Sequence, residues 1–135
     1  MAGYSKNPLW KKLGIKEGYN CFLFSSPDNY FDLLEALPAE SEFREDLNSS
    51  PYDFEHVFVT ELSVLKKNWK AWKNSLKKDG TLWVSWPKGG SKIPTDLNGN
   101  IVREFGLEGG LVDVKVCAVD EDWSGLKFMY RKIDR

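Results

Sequence analysis

Apolar positions along this chain switch between a strand-like and a helix-like spacing several times. Residues 19–25 (YNCFLFS) form a short continuous apolar run between turn signals, which predicts a buried strand. In residues 25–38 (SSPDNYFDLLEALP), Ser26 suits a helix cap, Pro27 the first turn and Asp28 the helix dipole. Tyr30, Phe31, Leu33, Leu34 and Leu37 then make an apolar face, and Pro38 ends it. Residues 39–53 are polar, with Phe43 and Leu47 as anchors, and predict a weak strand or an irregular link. Residues 54–61 (FEHVFVTE) look like a central strand. Leu62, Leu65, Trp69, Trp72 and Leu76 recur at helical spacing, predicting a helix through residue 78 that Asp79-Gly80 stops. Residues 81–86 (TLWVSW) read as the next strand. Pro94-Thr95-Asp96 predicts the start of another helix, with Leu97, Ile101, Val102 and Phe105 inward and Gly109-Gly110 beyond its end. LVDVKVCAVD and LKFMYRKI read as two strands of an antiparallel hairpin joined around EDWSG. Ahead of all this, Tyr4 to Ile15 carries Leu9, Trp10, Leu13 and Ile15. They fit a short helix over the sheet, or a partner contact if left exposed.

Strands alternating with helices imply a mainly parallel sheet covered on both faces, closed here by an antiparallel edge. The expected fold class is therefore α/β: one three-layer Rossmann-like domain over residues 1–135, with a C-terminal antiparallel hairpin. The stretch from DFEHVFVTE through the long helix to LKKDGTLWVSW resembles the fourth strand, helix and fifth strand of the class I methyltransferase fold. The final helix and hairpin are similar too, so this resemblance covers roughly residues 54–132. The blocks YSKNPLWKKLGIKEGY, LWVSWPK, TDL and GLVDVKVCAVDEDWSGLKF resemble, over nearly the whole chain, an uncharacterised bacterial family catalogued as a domain of unknown function. That resemblance implies a small bacterial protein and brings no activity or catalytic residue with it.

The methyltransferase resemblance implies a glycine-rich turn after the first strand, where the backbone approaches the cofactor. Here Ser25, Ser26, Pro27 and Asp28 occupy that turn without a glycine. No acidic residue to hold a ribose is identifiable after the weak second strand. The turn thus argues against S-adenosylmethionine, and no cofactor is expected. A degenerate methyltransferase-like fold without demonstrable catalysis is the leading reading; a small enzyme of methyl- or phosphate-group chemistry in the same crevice is the alternative.

Composition narrows the field. Hydrophobic residues make up 41% of the 135-residue chain and charged residues 29%, values that fit a globular domain with a real core. A net charge of −1 gives no global field for nucleic acid or a membrane surface. The N-terminus lacks a signal-like apolar stretch, and no window nears the ~20 apolar residues of a membrane span. Cys21 and Cys117 sit inside apolar runs and fit reduced, buried thiols of a cytoplasmic protein; a redox pair requires the fold to bring them together. One histidine and no Cys-x-x-Cys argue against zinc.

WPKGGSK, residues 86–92, holds the most pointed candidate. Its spacing is not that of a P-loop, and Ile93-Pro94 separates it from the next helix. Lys88 and Lys92 nevertheless flank flexible backbone at the carboxyl end of a parallel strand, where open α/β sheets take ligands. Asp96 would repel an anion at the next helix and serves better as a cap. Ser25, Ser26 and Asp28 should open on the same edge, either capping a helix or binding a polar ligand. The expected ligand, if any, is a small anionic metabolite between the 25–28 turn and the 87–92 loop, or else a protein partner. Trp123, on the tight Trp-Ser-Gly turn, either closes over that crevice or packs back onto the sheet. Asp120, Glu121 and Asp122 read as solvated hairpin-tip acids or as an acid–base set. His56 reads as a buried, hydrogen-bonded histidine or as a base. Lys66, Lys70, Lys73 and Lys77 form a stripe on the long helix, a solvated face or a docking site for acidic partners.

Overall fold

The computed structural model describes residues 7–135. The stretch before Asn7, which includes the start of the Tyr4–Ile15 segment, lies outside those residues. Helix α1 (Leu9–Leu13) leads into strand β1 (Asn20–Phe24), helix α2 (Tyr30–Leu34) and strand β2 (Glu42–Arg44). Strand β3 (Tyr52–Phe58), helix α3 (Leu62–Ser75), strand β4 (Leu76–Pro87) and helix α4 (Gly99–Glu108) follow, and β5 (Leu111–Ala118) and β6 (Trp123–Tyr130) close the chain. The six strands form one sheet in the order β2-β1-β3-β4-β6-β5. The pairs among β1, β2, β3 and β4 are parallel, and β6 runs antiparallel to both β4 and β5. The expected α/β architecture is the one observed.

Alternation along each strand splits the core in two. One face presents Phe22, Val57, Leu82, Val84, Leu126 and Phe128 to Trp69 and Trp72 of α3 and Val102 of α4. The other presents Cys21, Leu23, Phe54, Phe58 and Trp83 to Leu9 and Leu13 of α1 and Tyr30 and Leu34 of α2. The large indoles are accommodated because their N–H groups find carbonyls: Trp69 Nε1 donates to Gly109 (3.1 Å) and Trp83 Nε1 to Leu13 (2.9 Å). Leu9, Leu13 and Ile15 are buried, so the N-terminal helix packs on the sheet.

Four local expectations need correction. The helix expected over 26–38 is only Tyr30–Leu34, its N-cap is Asn29, and Ser26 caps nothing. Tyr30 and Leu34, one turn apart, are its buried contacts, whereas Phe31 and Leu37 are exposed, which leaves no apolar face to hold a longer helix. Residues 42–44 do pair as a strand. Helix α3 ends at Ser75 and β4 starts at once, because Leu76 already pairs with Tyr52. Gly80 lies inside that strand, where a Cβ would sit 3.0 Å from the carbonyl oxygens of Tyr52 and Asp53. Helix α4 begins after Asn98, whose side chain accepts from Ile101 N (2.9 Å). Asp96 instead accepts from Leu62 N (2.8 Å), satisfying the first turn of α3 from 34 residues away. Finally, Trp123-Ser124-Gly125 belong to β6 and not to the hairpin turn.

Candidate functional site

The carboxyl ends of β1, β3 and β4 point to one edge of the sheet, which brings the 25–29, 59–61 and 88–98 segments to that edge. A cavity of about 660 Å³ lies over the end of β4. Its floor is Trp86, Pro87 and Ser124, and its walls are Lys88, Gly89, Ser91, Ile93 and Thr95 on one side and Leu97, Asn98 and Gly99 on the other. A smaller cavity of about 320 Å³ adjoins it through Thr95 and is lined by Thr60, Glu61, Pro94 and Asp96. Gly99 permits the close approach of α4 to the floor, since a Cβ there would lie 3.4 Å from Trp86.

Short-range bonds hold this loop in shape. Lys88 N donates to the Asp122 carbonyl (2.8 Å), and the Ser91 hydroxyl donates to Asp122 Oδ1 (2.9 Å). Thr95 Oγ1 donates to the Thr60 carbonyl (2.6 Å) and accepts from Leu97 N (3.0 Å). The glycine loop is therefore a corner stapled to the hairpin tip, and the corner encloses a cavity. Asp120 Oδ1 accepts from the amides of Asp122 and Trp123 at 2.8 Å each. Asp120 and Asp122 thus order the tip; they are not arranged as an acid–base pair.

Of the residues singled out in the sequence, Lys88 lines the cavity and Lys92 is exposed outside its lining. Ser25 and Asp28 are exposed and Ser26 is half-buried. This turn contributes nothing to the cavity wall, because β3 stands between β1 and β4 and two strand steps span roughly 10 Å. Ser25 has φ of 53°, a left-handed backbone conformation that glycine adopts more readily. Trp123 packs edge-on against Phe58 with ring centroids 5.0 Å apart, so it is part of the sheet face and not a lid. Lys77, expected on the lysine stripe of the long helix, lies in β4 instead and pairs with Asp53 (2.7 Å).

His56 is fully buried. Tyr30 OH lies 2.8 Å from Nδ1, Ser85 Oγ lies 2.7 Å from Nε2, and Phe58 stacks on the ring at 4.3 Å. Burial lowers its pKa to about 3, so it is a neutral core imidazole with both nitrogens engaged. Sequence reasoning missed its partner Ser85, although a lone hydroxyl inside the apolar run TLWVSW was the available signal. It also missed Glu55, next to His56 on the opposite face of β3. Glu55 is fully buried, with Oε2 2.6 Å from Ser75 Oγ and Oε1 without a protein partner, and burial raises its pKa to about 8. The acidic residue that could not be identified after the weak second strand is Glu45, immediately after β2, and it is exposed; the shortness of that strand hid its position.

Cys21 and Cys117 are buried free thiols on β1 and β5, four strand steps or roughly 19 Å apart, beyond disulfide reach. Among the described residues, no group of three or more His, Cys, Asp or Glu could hold a metal, and no helix is long and apolar enough to cross a membrane. A further cavity of about 640 Å³ lies at the amino ends of β1 and β2, the edge away from the β4 loop. Its Arg44 is already paired with Glu42 and Asn20.

No family model matches the chain, and no curated protein matches it. Solved structures do. A SAM-dependent methyltransferase from Aquifex aeolicus is 13% identical, covers 90% of this chain and 87% of its own, and superposes with a TM-score of 0.65. A DhpI–SAH complex is 10% identical (93% and 83% covered, TM-score 0.61), and the Bacillus subtilis tRNA methyltransferase TrmK is 9% identical (97% and 68%, TM-score 0.54). The strand resembling the fourth of the methyltransferase fold is the third strand here. At these identities the likeness is one of fold: the chain has a class I methyltransferase-like, mixed α/β architecture.

Proposed function

We propose that this protein binds a small anionic, phosphate-bearing metabolite in the cavity over the carboxyl end of β4 and performs no methyl transfer. The observation that carries this reading is the cavity itself. It is of a size that takes a small ligand, and it opens where α/β sheets of this kind bind theirs. Lys88 supplies a charge-assisted contact. The first-turn amides of Gly99 and Asn100, which no intrahelical carbonyl can reach, face an anion with the positive end of α4. Asp96 opposes this less than its sequence position implied, because its carboxylate is engaged with the start of α3. Buried, unpaired cysteines support a reducing, cytoplasmic setting.

The test is a thermal-shift screen of phosphate-bearing metabolites, followed by calorimetry on the wild type and on Lys88→Ala. The variant should weaken binding by about 1.5–3 kcal/mol, roughly 10- to 150-fold. No stabilising anion, or affinity unchanged in Lys88→Ala, defeats the reading.

A second reading, a small S-adenosylmethionine-dependent enzyme, is favoured by the left-handed Ser25 at the end of β1 together with the methyltransferase folds it resembles. The side chains of Ser25, Ser26 and Pro27 stand against it, since they crowd a turn that the family keeps bare. Micromolar binding of S-adenosylmethionine by calorimetry would establish this second reading in place of the first.

A further inference from the structure

We propose that the open part of the sheet face beside α1 is a second anion-binding surface, where Lys16, Lys115 and Lys127 together receive a multiply charged phosphate. On this face α1 and α2 cover β1, β3 and β4, and their cover thins out over β6 and β5. Cys117 and Gly125, paired across β5 and β6, are still buried under it. Two residues further from the hairpin tip on the same face, Lys115 and Lys127 stand directly opposite each other, one exposed and one half-buried. Directly opposed side chains on antiparallel strands have Cβ atoms only about 4.5–5.5 Å apart, and like charges there repel.

Among the described residues, neither Lys115 nor Lys127 forms an ion pair. The acid of β5, Asp113, is drawn to the other face by Arg103 (3.2 Å). Besides burial, the groups acting on Lys127 are Lys115 and Lys16, and all three lower its pKa. Lys12 of α1 and Lys115 likewise both act on Cys117. Register thus sets Lys115 beside Lys127, Lys16 in the turn after α1 adds a like charge that acts on Lys127, and among the described residues no carboxylate is ion-paired with any of the three. A single carboxylate would neutralise one of them, whereas adjacent phosphates match the set. This surface is separate from the β4 cavity. Lys127 pairs with Trp83, four residues before Pro87, and it projects from the face opposite Trp86.

The probe is inorganic tripolyphosphate, titrated calorimetrically at low salt into wild type, Lys115→Glu, Lys127→Gln and Lys88→Ala, with amide chemical shifts mapping the site. Binding should perturb the amides of residues 115 and 127, fall at least tenfold in Lys115→Glu and in Lys127→Gln, and persist in Lys88→Ala. Without the probe, Lys115→Glu should melt higher than wild type, because Lys127 gains an opposite charge. Absence of binding, or binding that survives both lysine substitutions, overturns the proposal. Binding lost only in Lys88→Ala would place the anion in the β4 cavity, refuting this surface while leaving the cavity reading intact.

Discussion

Glu55 should make this protein less stable as pH rises through the neutral range. Its carboxyl is fully buried in the middle of β3, and burial holds its pKa near 8, against 4.5 when exposed. Burial outweighs the Ser75 hydroxyl, which pulls the pKa the other way. Ser75 Oγ lies 2.6 Å from Glu55 Oε2 and 2.9 Å from the Trp72 carbonyl, yet a hydroxyl has one proton to give. The set closes when Ser75 donates to Trp72 and the protonated Glu55 donates to Ser75. Because the folded-state pKa is the higher, the native protein binds more protons than the unfolded chain between pH 4.5 and 8. The stability linked to that proton is complete below 4.5 and is lost as pH rises to about 8. At 1.36 kcal/mol per pH unit the loss is about 3 kcal/mol by pH 7 and roughly 4–5 kcal/mol over the whole window. Glu55→Gln keeps the shape, donates an amide proton to Ser75 and cannot ionise. Urea unfolding of both proteins from pH 5 to 8 should show the variant gaining on the wild type by roughly 2–3 kcal/mol between pH 5 and 7. A difference that does not change with pH would refute a buried, protonated Glu55.

Tyr30→Phe should cost about 1–3 kcal/mol in urea unfolding, because it leaves His56 Nδ1 buried without its 2.8 Å partner. His56 also sets the acid limb: its folded-state pKa is depressed to about 3, so the stability it contributes is present above pH 6.5 and is lost as pH falls toward 3. Gly106→Ala, ordinarily worth up to about 1 kcal/mol of helix stability, should instead destabilise by about 1–3 kcal/mol, since the new Cβ would lie 2.1 Å from Phe128 Cε1. A rise in its melting temperature would show that Phe128 yields freely.

The apolar pattern alone determined the alternation of strands and helices, the helix that ends at Gly109-Gly110 and the closing hairpin, because burial of one face or one stripe is a local property of the chain. It also located Lys88 at a strand end, where ligands gather. Tertiary structure decided whatever depended on a distant partner. The cap for α3 came from Asp96, which local rules assign to its own helix. The apparent helix over 26–38 kept only the turn for which the sheet offered contacts. Ser25–Asp28 and Lys88 share an edge, but the insertion of β3 between their strands separates them. Strand register set Lys115 against Lys127 and buried Glu55 beside His56, and register is a relation between segments that neither segment carries. Local signals choose an element; only the packed sheet decides which neighbours its side chains meet, and hence their charge.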